Sequence, residues 1–256
     1  MTICHKNDYH HRMNLLVVAT KVMFGFIFLI AFVTFLVGSN VRWAFNSVYL
    51  YEFGFARHQV TRTTGLTEDQ LSDAAHQLRD YFNSTEERLH VEIVDGTTSV
   101  DLYDQREVLH MKDVKELALN VYQIQEATFL YLFLFVSLGF FILGTDFASW
   151  IRRLFIQASI ITITLVALLG VSSLVMFGPL FNIFHELSFR NNFWQLDPLT
   201  SHLVQMFPQA FWLDATLIIG FACILESSLI VIVLMLIGWW QRWRRRVAQS
   251  KAPQFI

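Results

Sequence analysis

The chain has 256 residues, 54% of them hydrophobic and only 16% charged, and phenylalanine alone accounts for 25. A soluble domain carries about 25% charged residues, so this composition excludes an ordinary soluble globular protein and sets a membrane chain as the premise. The net charge of −2 hides any asymmetry between two sides of a membrane, and the two cysteines, Cys4 and Cys223, leave no disulfide framework and no cysteine-based metal site.

In chain order, residues 1–14 form a short tail, and residues 15–37 are apolar apart from Lys21, long enough for a first crossing. No small-residue cleavage site follows, so this span reads as a retained anchor. Residues 38–126 form the longest polar segment, large enough for a small α+β domain. Within it, Thr67-Glu-Asp-Gln70 is a capping box with Leu66 and Leu71 as a hydrophobic staple, which predicts a helix from Glu68 to about Phe82 that buries Leu71, Ala75, Leu78 and Phe82. Leu89 to Val94 and Ser99 to Tyr103 alternate at period two around Asp95-Gly96, which predicts a hairpin with His90 and Glu92 on its outward face. From Met111, Val114, Leu117, Ala118 and Val121 recur at helical spacing and run without a break into the second crossing, residues 127–144. This reading puts His110 at the start of that helix, with Asp113 one turn on.

Residues 145–153 form a short loop and 154–178 the third crossing. The uncharged run continues to Phe184, more than one crossing needs, so the excess beyond Gly178 and Pro179 is expected along the far interface or dipping into the membrane. Residues 179–214 form a second polar segment, 215–240 the fourth crossing and 241–256 a basic tail. Glu226, midway along the fourth crossing, is expected to be protonated and bonded to Ser227, Ser137 or Ser159. The fold class is therefore an all-α membrane core of four transmembrane helices with a small extracytoplasmic α+β domain between helices 1 and 2.

Charge sets the orientation. Ten basic residues, among them Arg152, Arg153 and Arg244 to Arg246, flank the termini and the short loop, against Asp8 and Asp146. The other side carries nine basic and seventeen acidic residues, so the positive-inside bias makes both termini cytoplasmic.

Of the nine histidines, those in the tail (His5, His10 and His11) read as solvated, and His58, His76 and His202 have weaker claims to a role than His110 and His185. The last two lie 75 residues apart, yet both are expected on the outer side near the hydrocarbon boundary. Each could simply bond a backbone group at a helix end, or the two could form a proton-transfer pair, since partial burial favours neutral, basic imidazole. There is no H-E-x-x-H, no Cys/His cluster and no G-x-S-x-G nucleophile motif. No metal, cofactor or nucleic acid is expected, and oligomeric state is not readable. A non-catalytic lipid- or lipoprotein-binding membrane protein, and a metal-dependent hydrolase using His110, His185 and Asp113, are the other readings these residues allow.

At the two histidine segments the chain resembles a family of bacterial integral membrane proteins that includes the lipoprotein intramolecular transacylase. The resemblance is carried by YEFGF (Tyr51 to Phe55), TGLTEDQL (Thr64 to Leu71), REVLHMKDVKEL (Arg106 to Leu117), FHELSF (Phe184 to Phe189) and FWQLDPLTSHLVQMFPQAFW (Phe193 to Trp212). It implies an enzyme of the cytoplasmic membrane that acts at the outer face on diacylated bacterial lipoproteins among membrane phospholipids. The sn-2 acyl chain of the diacylglyceryl-cysteine would move to that cysteine's own α-amine, giving the lyso form. The family's two histidines correspond to His110 and His185, and they would share the general acid and base roles. Asp113 as an orienting partner favours His110 as base, while Asn192, Trp194 and Asp197 would shape the cleft.

Overall fold

A computed structural model describes residues 2–250; the side chains of residues 1–14 lie outside the described part, and with them the readings of Cys4, His5, His10 and His11. The chain is mostly helical. Four helices are long and apolar enough to cross a membrane, over Val18–Asn46, Gln105–Leu143, Phe147–Ser188 and Gln209–Val247. In order the elements are α1 (Thr2–Asn46), α2 (Val48–Arg57), α3 (Val60–Thr64), α4 (Glu68–Asn83), β1 (Glu92–Asp95), β2 (Thr98–Asp101), α5 (Gln105–Leu143), α6 (Thr145–Ser188), α7 (His202–Met206) and α8 (Gln209–Ser250).

The chain divides into two compact units. One comprises α1 up to Phe35, Ala127–Thr164 and α8 from Ile224 onward. Its interior is aromatic: Phe28 meets Phe155 edge-on at 5.0 Å and tilts against Phe135 at 5.4 Å, while Phe147 packs on Trp150 at 5.5 Å. The turn between the second and third long helices is a single residue, Gly144, at φ +56°, a conformation glycine adopts without penalty. Residues 145–153 are thus helical and continuous with α6, in place of the expected loop. Of the three hydroxyls expected to hold Glu226, those of Ser159 and Ser227 are buried without a hydrogen-bond partner, so neither bonds that carboxyl.

The other unit comprises Leu36–Glu126 and Leu165–Cys223. Its elements form as their local signals dictate. Ser47 accepts from Leu50 N–H at 3.2 Å to start α2. The Thr67/Gln70 capping box is formed in both directions, at 3.2 and 2.9 Å, and α4 buries the four expected residues together with Ala74 and Tyr81. The hairpin forms with a shifted tip: Asp95 pairs with Thr98, so the two-residue loop is Gly96-Thr97, with Gly96 at φ +63°. Leu89, Val91 and Ile93 are buried, whereas all four residues of β2 are exposed. The free edge of β1 is occupied by α4, since the Gln77 amide bonds both N–H and C=O of Glu92 and Gln70 donates to the Val94 carbonyl. The apolar core is not local to residues 38–126: Leu203, Met206, Phe211 and Ala215 belong to the same cluster as Leu50, Phe55, Leu71 and Leu78. At Gly54 the contact is so close that a Cβ would lie 2.3 Å from the Phe211 ring.

Inside α6 the helical path breaks at Met176 (φ −140°, ψ 40°), three residues before Pro179. Proline lacks the N–H and clashes with the carbonyl four residues back, which accounts for the break there. The last stretch of α6, carrying His185, therefore takes its own direction.

Candidate functional site

Helix α5 begins six residues earlier than the apolar pattern suggested. Asp104 accepts from Glu107 N–H at 2.8 Å while Glu107 accepts from Asp104 N–H at 2.7 Å, a reciprocal cap that Asp104-x-x-Glu107 makes legible in the sequence. His110 consequently stands more than a turn inside the helix, on the buried stripe formed by Glu107, Met111, Lys115 and Ala118. Glu107 also fastens α7, accepting from Ser201 Oγ at 2.6 Å and from Leu203 N–H at 2.8 Å.

His185 lies in the last turn of α6, where the helix dipole favours positive charge. Its Nδ1 is 2.7 Å from the carbonyl of Phe181, and a carbonyl only accepts, so Nδ1 carries the proton and Nε2 of the neutral ring presents a lone pair. The ring is boxed by Phe181 at 4.2 Å, Phe184 at 5.2 Å, Phe189 at 5.6 Å and Trp194 at 5.0 Å.

The structure brings the two histidines together. Their ring centroids are 6.1 Å apart, each residue is 8% exposed, and the Phe189 ring also meets His110 edge-on at 5.2 Å. Both lie on the long helices outside their uncharged runs, 127–144 and 154–184. Burial, then the neighbouring His185 ring, pushes His110 from its ordinary 6.5 down to about 4, with the Asp113 charge opposing. Burial also lowers His185, against the opposing pull of the Phe181 carbonyl. Burial thus favours the neutral form of both imidazoles.

The expected supporting residues fare differently. Trp194 covers His185. Asp113 does not orient His110: it accepts from Asn191 at 2.8 Å, and His110 Nδ1 is buried without a hydrogen-bond partner. Asn192 offers its carbonyl to Arg106 at 2.6 Å. Asp197 organises a turn, bonding Leu199 N–H through its side chain and Ser201 N–H through its carbonyl, and makes no ring contact with the histidines. Arg106, Glu107 and the three phenylalanines of the box escaped sequence reasoning, although the capping pattern could have flagged Glu107. Of the other histidines, the buried Nδ1 of His202 has no hydrogen-bond partner, His58 bonds Asp214 at 3.0 Å, and exposed His90 bonds Glu92 and Asp101 at 2.9 and 3.0 Å. Those last three are the described residues whose ligating atoms cluster closely enough for a metal, well apart in role from His110, His185 and Asp113.

Two neutral imidazoles, one with a fixed tautomer, in a largely apolar enclosure form an arrangement suited to proton transfer at one carbonyl centre. Comparison with known proteins bears on which chemistry this serves. The chain is similar to the in meso structure of the membrane integral lipoprotein intramolecular transacylase Lit from Bacillus cereus, at 18% identity and a TM-score of 0.75, covering 88% of this chain and 99% of that one. Structures of the same protein with one histidine replaced by arginine or by alanine give TM-scores of 0.73 and 0.72 at 19% and 18% identity. They cover 91% and 90% of this chain and 99% of theirs. At these identities the likeness establishes the fold. No curated protein sequence gives a significant match. The family described as lipoprotein intramolecular transacylase Lit matches residues 26–212, a stretch that includes both histidines and the elements that hold them. The chain is thus an integral membrane protein that belongs to the lipoprotein intramolecular transacylase family.

Proposed function

We propose that this transacylase moves the sn-2 acyl chain of a diacylglyceryl-cysteine lipoprotein to the α-amine of the same cysteine, with His110 and His185 as the catalytic residues. The observation that carries the reading is the paired, neutral, aromatic-walled imidazoles of residues far apart in sequence. The reaction is an isomerisation. A bond forms between the amine nitrogen and the acyl carbon, the bond from that carbon to the sn-2 oxygen breaks, and one proton passes from nitrogen to the departing oxygen.

The fixed tautomer supports His185 as the proton carrier, reversing the preference for His110 that Asp113 suggested. Nε2 of His185 takes the proton from the attacking amine and returns it to the glycerol oxygen. His110, held neutral, retains one N–H to stabilise the negative charge that develops on the carbonyl oxygen. Because ester and amine belong to one molecule, holding them in attack geometry replaces a second binding event, and no nucleophilic serine or cysteine is required. The basic flanks support a cytoplasmic-membrane orientation with both termini inside, and the α+β elements between the first two long helices then lie on the outer face with the histidines.

The test is expression in a host that makes diacylated lipoproteins, followed by fragmentation of the N-terminal lipopeptide. Migration conserves the parent mass, so the expected result is a fragment carrying an N-linked acyl chain, lost in His110→Ala and in His185→Ala. Full activity in either variant removes that residue from the site, and the absence of the fragment despite good membrane expression refutes the reaction.

A further inference from the structure

An open cleft of about 330 Å³ is bordered by Gln105, Arg106, Leu109, Asn192 and Phe193. The elements that border it are those that hold the pair. Leu109 precedes His110 on α5, and Phe193 precedes Trp194, whose indole covers His185. Arg106 stands four residues before His110, one turn of the same helix face and about 6 Å along the axis. That turn leads away from the uncharged stretch that starts at Ala127. Along α5 the order is therefore hydrocarbon-spanning stretch, His110, then Arg106 and the cleft.

A substrate with its ester and amine at His110 and His185 must point its acyl chains toward the apolar stretch, and the chain that continues from its cysteine must leave the opposite way. We propose that this cleft receives the peptide following the acylated cysteine and grips it by its main chain. The chemistry of the walls suits a peptide. Leu109 and Phe193 supply apolar contact, while the Gln105 and Asn192 amides both donate and accept. The Arg106 guanidinium has five N–H donors, of which one bond goes to the Asn192 carbonyl, and it forms no ion pair among the described residues. Donors presented beside an apolar floor recognise successive carbonyls, so affinity follows peptide length more than side-chain identity.

This inference rests on the transacylase reading above, and the experiment separates the two. Purified enzyme is given diacylglyceryl-cysteine amide, the same lipid on a neutral pentapeptide amide, and the same lipid on a pentapeptide with two acidic residues. The expected result is a KM about tenfold lower for both pentapeptides than for the cysteine amide, with kcat changed little. In Arg106→Gln that ratio falls to about one, and Arg106→Lys recovers part of it. The ratio compares substrates on one enzyme preparation, so partial unfolding cancels; Gln105→Ala, a milder change, lowers the ratio about threefold. Equal KM values across the three substrates in the wild type overturn the cleft assignment. An advantage confined to the acidic peptide overturns main-chain recognition. No migration on any substrate refutes the transacylase reading itself.

Discussion

Replacing Glu107 with alanine tests the joint that holds the first turn of α5 to α7. The side chain is 2% exposed and only accepts: Ser201 Oγ–H at 2.6 Å, Leu203 N–H at 2.8 Å and Asp104 N–H at 2.7 Å. Removing it strands the buried Leu203 N–H and Ser201 hydroxyl, each at a cost of about 1 kcal/mol or more. It also removes one arm of the helix cap, worth about 1 kcal/mol. The expected loss is therefore about 3 kcal/mol, or on the order of 10 °C in melting temperature for a chain of this size. Glu107→Gln keeps one accepting oxygen but points an amide donor at an N–H or O–H donor, and should lose about half as much. Thermal unfolding of the detergent-solubilised protein, followed by tryptophan fluorescence, reads both. A change below about 1 kcal/mol in Glu107→Ala would show that the carboxylate is not the fastening the geometry implies.

Two further outcomes follow from the same structure. The folded protein resists protonating His110 until about pH 4, whereas the unfolded chain takes the proton near 6.5, so stability is lost as pH falls through that window. The melting temperature should decline from pH 6.5 toward 4 in the wild type and less steeply in His110→Gln; parallel slopes would contradict the buried neutral assignment. In Gly54→Ala the new Cβ would meet the Phe211 ring at 2.3 Å, and helical packing there should lose about 1–3 kcal/mol by overpacking. An unchanged melting temperature would mean that α2 and the start of α8 can separate freely.

What was readable in advance has a common physical character. The uncharged runs, the Thr67–Gln70 box and the alternation of Leu89, Val91 and Ile93 are short-range patterns, and each declares its element because the bonds and the burial involved lie within a few residues. The start of α5 was equally declared by Asp104 and Glu107, but the apolar periodicity from Met111 drew attention to a later point. The hairpin tip lies one residue beyond the position that Asp95-Gly96 predicts, because Asp-Gly is a strong turn signal only in isolation. The two glutamines of α4 along the edge of β1 fix that strand in the folded protein.

By itself the sequence determined the membrane class, four apolar helices, the hairpin, and the two histidines as the residues to watch. Only the tertiary structure decided that His110 and His185 meet at 6.1 Å and that Asp113 answers to Asn191. Those contacts join residues about 75 positions apart, and they are set by how whole helices pack. No local pattern encodes them, because a side chain's partner depends on what the rest of the fold has already brought within reach.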